Sequence, residues 1–282
     1  MRLDLWLKEN KKFSRKKAKQ LIDAGKIYIN GKKVHMAGWE VGAQDKVVVK
    51  QVQSPKGGYV KVIHEDQHII VVDKPAGLLS VPDGPEGQES MLAWVQKYLQ
   101  RKYAKKGAFV YPVHRLDAET SGVMVFALSN AGKKLEDIFK QHQINRRYLA
   151  IVEGQLLPES GRFQADLEKG DFKGGKKTKV AKSSTAKKAV TDYQVKEYYQ
   201  NASLVELTVH TGRTHQIRVH LSEAGFPIIG DKVYGGKQTF ARQALHAHAL
   251  AFKHPVSNKK LKFDSPLPKD LEKLIDELRV SC

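Results

Sequence analysis

Residues 111–129 read YPVHRLDAETSGVMVFALS, and the two halves of this stretch ask for different surroundings. His114-Arg115-Leu116-Asp117 and the following Ala118-Glu119-Thr120-Ser121-Gly122 are dense in polar groups, whereas Val123 to Leu128 is apolar and partly β-branched, the pattern of a buried strand. A polar loop carried by a rigid strand is where reactive side chains often sit. Taken alone, the residues favour a simpler reading: a polar turn feeding a core strand, with Arg115 and Asp117 as a solvated ion pair. The choice depends on the rest of the chain.

The 282 residues suggest two domains, or one domain with an appendage, and 41% hydrophobic content is enough for a real core. The net charge of +19 is far more than solubility needs. It points to a polyanionic partner, nucleic acid first and an anionic membrane second. Cys282 is the only cysteine, which excludes disulfides within the chain and cysteine-rich metal sites. The opening MRLDLWLKENKK interleaves acids and bases and does not resemble a secretory signal, and no apolar run approaches the roughly 20 residues that span a bilayer. A soluble, cytoplasmic, monomeric protein without membrane contact is expected.

Residues 1–50 carry 13 lysines and arginines against 5 acids, a net charge of +8. Leu3, Trp6 and Leu7 have helical spacing. A second helix starts at Ser14 as N-cap, gathers Ala18, Leu21 and Ile22 on one face and ends at Gly25. Ile27-Tyr28-Ile29, Asn30-Gly31 and Lys32-Lys33-Val34 read as a β-hairpin, and Val47-Val48-Val49 as a further strand. Arg15, Lys16, Lys17 and Lys19 surround the apolar face of the second helix, a charge run that reads either as a solvated face or as a phosphate-facing one. The order helix, basic helix, hairpin, strand resembles the small RNA-binding domain named after the fourth small-subunit ribosomal protein. The resemblance implies RNA binding through the basic helix and through the hairpin edge at Lys32 and Lys33, without catalysis. QVQSPKGG at 51–58 reads as a linker, leaving 59–282 as a second domain.

In that domain, Tyr59 to Asp73 holds two strands, followed by the turn Lys74-Pro75-Ala76-Gly77. Ser90 caps a helix with Leu92, Val95 and Leu99 inward. Asn130 to Gln143 reads as one helix burying Leu135, Ile138 and Phe139, and Arg146 to Val152 as a strand. Between Lys169 and Lys188 stand eight lysines and one acid, without core periodicity; this reads as a mobile basic loop and a poor place for chemistry. Leu204 to Val209 is a strand. Thr214 as N-cap and Gly225 as C-cap frame a helix with Ile217, Leu221 and Ala224 inward, and Arg218 at the edge of that stripe needs a carboxylate partner. Ile228 and Ile229 read as core, and a last helix after Pro268 turns Leu271, Leu274, Ile275 and Leu278 inward.

HRLD followed by TSG resembles the catalytic motif of RluA-type pseudouridine synthases, and further motifs follow that resemblance in order. VVDKPAGLLSVP resembles the family's opening motif, RRYLAIVEG its second and TGRTHQIRVH its third; FPIIGDKVYGG and LHAHALAFKHP match later runs. The resemblance spans roughly Tyr59 to Pro268. It implies an α+β chain: a small α/β RNA-binding domain, then a mixed, largely antiparallel sheet flanked by helices. It also implies Asp117 as the catalytic carboxylate, Arg218 as its partner, Tyr148 against the target base, and Arg115 filling the gap left by a flipped uridine. Asp117 would act as a nucleophile at the ribose or as a base towards a ribose proton; the sequence leaves both open.

The implied reaction keeps the uracil in the site and changes no oxidation state, so no cofactor is expected. His215 and His220, or His246 and His248, lack a third ligand at recognisable spacing, so no metal is expected. Ribosomal RNA is the preferred substrate and transfer RNA the alternative. Two rivals are a non-catalytic RNA-binding assembly factor and a glycosylase, which normally needs two carboxylates and has only Glu119 near Asp117.

Overall fold

The computed structural model describes residues 1–11, 13–23, 27–34, 36–42, 44–49, 58–83, 89–104, 107–141, 143–172, 175–237 and 239–280. Residues 51–57 of the expected 51–58 linker, Gly25, Cys282 and the side chains of Lys16, Lys17, Lys32 and Lys33 lie outside the described residues. The chain divides into two compact units, one of Met1–Ser54 with Asp171–Lys176, the other of Pro55–Gly170 with Lys177–Cys282.

The first unit contains α1 (Leu3–Lys11), α2 (Arg15–Asp23), β1 (Ile27–Ile29), β2 (Lys32–Val34) and β3 (Val47–Val49), with strand order β2-β1-β3. Leu3 and Leu7 of α1 and Ala18 and Ile22 of α2 pack on Ile27, Ile29 and Val34. Trp6 and Leu21 are only half-buried. Asn30 and Gly31 both take positive φ, 51° and 80°, between the paired residues Ile29 and Lys32. That is the requirement of a two-residue hairpin turn whose twist matches its strands. Arg15 and Lys19 are exposed.

A second, larger sheet has 11 strands among the described residues. These are β4 (Lys61–Glu65), β5 (Ile69–Lys74), β6 (Tyr111–Pro112), β7 (Ser121–Ala127), β8 (Asn145–Glu153), β9 (Ser160–Phe172), β10 (Gly175–Val180), β11 (Lys187–Tyr199), β12 (Ala202–Val209), β13 (Leu245–Lys253) and β14 (Lys260–Asp264). The spatial order is β10-β9-β11-β12-β8-β13-β7-β5-β4, with β14 on β13 and β6 on β7. β7 and β13 run parallel, while β4–β5, β5–β7, β8–β12, β8–β13, β9–β11 and β11–β12 are antiparallel. The expected mixed, largely antiparallel α+β architecture is present.

All seven residues of β7 are buried because helices cover both faces. Met124 and Phe126 join Ile70 and Val72 under α3 (Met91–Tyr103), whose Ser90 N-cap accepts from Ala93 N at 3.2 Å. The alternate residues Val123 and Val125 pack with Ile69, Val71, Leu135 and Phe139. A third core places α6 (Gln216–Glu223) and α7 (Lys269–Val280) against β8, β11 and β12 through Ile217, Leu221, Leu271, Leu274 and Ile275.

Several local expectations are corrected. Met91 and Trp94 are buried on α3, whereas Leu92 is half-buried. Asn130 to Gln143 is two helices, α4 (Asn130–Lys133) and α5 (Leu135–Lys140). Ser129 Oγ accepts from Gly132 N and is hydrogen-bonded to His68 Nδ1, so contact with the β4–β5 turn sets the first turn and overrides the periodic pattern. The basic stretch from Lys169 to Lys188 is mostly strand, running through β9 and β10 into β11. Ladder hydrogen bonds need no apolar period, and Thr178, 2% exposed, is tied at N and O to the Tyr234 hydroxyl. Ala224 is exposed, while Gln216 to Leu221 are all buried, so α6 is embedded rather than amphipathic.

The Ser-Gly at the start of β7 has a steric cause. Ser121 and Gly122 lie opposite His246 and Ala247 of parallel β13. His246 Nε2 donates to Ser265 O at 3.1 Å, so its Nδ1 accepts from the Ser121 hydroxyl at 2.9 Å. Gly122 has φ 116°, and a Cβ there would sit 2.2 Å from Ala247 O. Gly122→Ala is therefore expected to cost roughly 2 kcal/mol or more of stability through clash and backbone strain. An unshifted urea midpoint would contradict this close approach.

Candidate active site

Asp117 stands on the loop between β6 and β7, and that loop is held at consecutive backbone carbonyls. Leu116 O accepts from Ser80 Oγ at 2.7 Å, and Asp117 O accepts from Thr120 N at 3.1 Å. Ala118 O accepts from Gly77 N at 2.8 Å and from Lys74 Nζ at 3.1 Å, and Glu119 O from Arg242 Nη1 at 3.1 Å. Lys74 is fully buried and also donates to Pro75 O and Leu78 O. Burial lowers its pKa to about 7, with the Asp117 charge opposing and Arg242 adding to the shift. His114 accepts the Val125 N–H at Nε2 and stacks on Phe139 at 4.6 Å. Burial, helped by the Arg146 charge, lowers its pKa to about 3. It is a neutral structural histidine.

The Asp117 carboxylate faces α6. Arg218 Nη1 donates to Asp117 Oδ2 at 2.8 Å, while Arg218 Nε and Nη2 donate to Asp231 Oδ2 and Oδ1 at 2.6 and 2.9 Å. Asp231, 1% exposed, also accepts the Val233 and Tyr234 N–H groups. Arg218 thus bridges two carboxylates at 7% exposure and lies 4.9 Å from the Tyr234 ring. Burial alone would lower its pKa; Asp231 first, then Asp117, reverse the direction and keep it a permanent cation. Burial alone would likewise raise the Asp117 pKa, but His215, Arg218 and a hydrogen bond from Gln243 bring it below the ordinary 3.8. His215 has its own pKa lowered by burial, so at neutral pH the enduring cation is Arg218.

His215, not the expected Thr214, occupies the N-cap of α6, with φ 55° and no side-chain cap bond. Its Nδ1 is hydrogen-bonded to the Tyr234 hydroxyl at 2.8 Å and its Nε2 stands 3.8 Å from Asp117 Oδ1. The imidazole is anchored on one side and presented to the carboxylate on the other.

Asp117, His215 and Arg218 border a cavity of about 600 Å³ that also takes in Arg115, Arg146, Tyr148, Lys169 and Arg213. Its size suits a nucleotide. The sequence-predicted Asp117, Tyr148, Arg218 and Arg115 therefore share one cavity, with Arg115 exposed and Tyr148 half-buried. Burial raises the Tyr148 pKa, Arg146 opposing and Asp117 adding, so its hydroxyl stays protonated. Arg15 and Lys19 belong to the other unit. The sequence reading missed Asp231, Lys74, Arg242 and Gln243, and weighed His215 only as a metal ligand. One signal was available: an arginine paired through a single nitrogen leaves donors unsatisfied, and Asp231 is the acid in the nearby FPIIGDKVYGG run. No group of histidines, cysteines and acids able to hold a metal occurs among the described residues, and none of their helices is long and apolar enough to cross a membrane.

A sequence model of the family described as RNA pseudouridylate synthase matches residues 68–223, more than half of the chain. The chain belongs to this family. It is an RNA pseudouridine synthase, and an S4 domain model matches residues 1–47. It is 33% identical to a ribosomal large subunit pseudouridine synthase D from Zymomonas mobilis, over 96% of this chain and 91% of that one. A dual-specificity RNA pseudouridine synthase RluA from Pasteurella multocida is 37% identical over 75% of this chain and 95% of its own. The solved human RNA pseudouridylate synthase domain containing 4 superposes with a TM-score of 0.64 at 27% identity, covering 78% of this chain and 93% of that chain.

The synthase's two carboxylates on Arg218 are unequal, and this separates two substitutions. Asp117→Asn leaves Arg218 with its bidentate partner, so stability is expected to change by no more than about 1 kcal/mol. Asp231→Asn removes the buried partner and is expected to cost roughly 3–5 kcal/mol. Urea denaturation of both variants checks this; equal losses would contradict the asymmetry.

Proposed function

We propose that this synthase isomerises uridines of large-subunit ribosomal RNA, with Asp117 as its essential carboxylate. The reading of the substrate rests on one observation. The Zymomonas mobilis relative, named for the ribosomal large subunit, aligns with 96% of this chain, whereas the dual-specificity relative aligns with 75%.

In the reaction the bond between ribose C1′ and uracil N1 breaks and a bond from C1′ to C5 forms. The C5 proton is lost and N1 gains one, so the product is an isomer. Asp117 acts at the ribose, as nucleophile at C1′ or as base towards a ribose proton; either role needs the ionised form, which its lowered pKa supports. Arg218 keeps that carboxylate charged and aimed. Tyr148 supplies a ring for the uracil to stack on. Burial raises the pKa of its hydroxyl, which therefore enters the reaction protonated. Arg115, exposed at the rim of the cavity, fills the gap left by the flipped uridine, whose extrusion costs roughly a few kcal/mol.

Backbone contacts from Arg15, Lys16, Lys17, Lys19, Lys32 and Lys33 in the basic N-terminal region offset that cost. Neutralising Arg15, Lys16, Lys17 and Lys19 together is expected to weaken RNA binding. It should also flatten the slope of log K against log salt by roughly 0.7–0.9 for each phosphate that is no longer neutralised. An unchanged slope in a binding titration would refute this role for the helix.

The substrate is tested by chemical mapping of pseudouridine in RNA from cells with and without the gene. At least one large-subunit position should vanish, returning with the wild-type gene and not with Asp117→Asn. Loss confined to transfer RNA would overturn the ribosomal assignment, and rescue by Asp117→Asn would overturn the role of Asp117.

A further inference from the structure

Arg146 precedes Tyr148 by two residues on β8, so both side chains leave the same face of the strand and both border the cavity. It is only 8% exposed, yet it pairs with no carboxylate among the described residues. Arg146 Nη2 donates to Val209 O at a long 3.3 Å, and its guanidinium lies 6.0 Å from the Phe139 ring. Its Nε is buried without a hydrogen-bond partner. The nearby acids are committed elsewhere: Asp117 to Arg218, and Glu136 to Lys140 and the Tyr111 hydroxyl. His114 is neutral and turns its ring nitrogen to the backbone.

A buried cation without an acid is costly, and the cost contrasts with the full pairing of Arg218 in the same cavity. Burial correspondingly lowers the Arg146 pKa, with only Tyr148 opposing. A guanidinium left in this state is matched to an anion that arrives with the ligand. In a synthase whose substrate is RNA, the anion is a phosphodiester, and planar guanidinium forks suit phosphate oxygens. Gly212 keeps the approach open: a Cβ there would stand 3.0 Å from Arg146 Nη1.

We propose that Arg146 is the phosphate-binding residue of the pocket, taking a backbone phosphate adjacent to the flipped uridine. This rests on the synthase reading and adds the anchor that holds the extruded nucleotide beside Tyr148. The role is distinct from bulk attraction by exposed lysines, because one buried guanidinium selects one phosphate.

The test uses the full-length protein and an RNA fragment containing its mapped uridine. Uncharged methylphosphonates replace, one at a time, the phosphates on either side of that uridine. One of them should raise KM of the wild-type enzyme about tenfold, the size of a charge-assisted hydrogen bond. Arg146→Gln should raise KM similarly on unmodified RNA and be indifferent to the same methylphosphonate, with a melting temperature no lower than wild type. Gly212→Ala, which keeps the charge but crowds Nη1, should blunt the methylphosphonate effect and serves if Arg146→Gln does not fold. Additive losses in Arg146→Gln, or a wild-type enzyme indifferent to both methylphosphonates, would overturn the proposal. So would a fall in melting temperature with the methylphosphonate effect intact, which marks a purely structural arginine. Pseudouridine formation by wild type on unmodified RNA reports on the synthase reading separately.

Discussion

A single buried guanidinium organises the catalytic end of this molecule. Arg218 sits on the embedded turn of α6 and spends two nitrogens on Asp231 and a third on Asp117. An arginine at 7% exposure is tolerable only when its charge and its donors are both matched. Much of the neighbourhood follows from that demand. Asp231 is buried and braced by the Val233 and Tyr234 N–H groups. Tyr234 lies against the guanidinium, and its hydroxyl ties His215 to Thr178 of β10. The lysine-rich stretch therefore has a structural duty at the back of the site through one threonine.

The carboxylate's other side depends on a different constraint. Between Leu116 and Glu119 each backbone carbonyl has a partner, drawn from Ser80, Thr120, Gly77, Lys74 and Arg242. Two of those partners are buried basic side chains: Lys74 spends its donors on main-chain oxygens, and Arg242 adds such bonds to a bidentate pair with Asp270. A loop fixed in this way holds Asp117 at one place and one angle, as its proposed role at a reacting atom would require. The Gly122 contact adds to it, since the backbones of β7 and β13 meet directly behind the loop.

The sequence made some of this legible and hid the rest for physical reasons. The hairpin turn at Asn30-Gly31, the strand after Gly122 and the pairing of Asp117 with a residue 101 positions later are readable, the last only through family resemblance. Asp231 was hidden because a buried acid on a Gly-rich turn looks like any turn acid until its arginine is placed. The β10 strand was hidden because pattern reading detects apolar periodicity, while Lys-rich strands are held by ladder bonds. Thr214 looked like a cap because side-chain oxygens usually are; α6 instead begins at His215 in the left-handed region, which frees that imidazole to face Asp117.

The inequality of the two acids on Arg218 has a consequence for the chemistry. Asp117 is 30% exposed at its side chain and accepts one hydrogen bond from Arg218; Asp231 is 1% exposed and accepts two. In either role proposed for Asp117, bonding to the ribose or taking a proton from it, its negative charge would be consumed during the reaction. If Arg218 had no other partner, that moment would leave a buried cation unmatched, at a cost of several kcal/mol added to the barrier. With Asp231 in bidentate contact the cation stays compensated, so in the proposed role Asp117 could lose its charge without its partner becoming an orphan. The structural acid carries the burial of the arginine, and the exposed acid is left free to change charge.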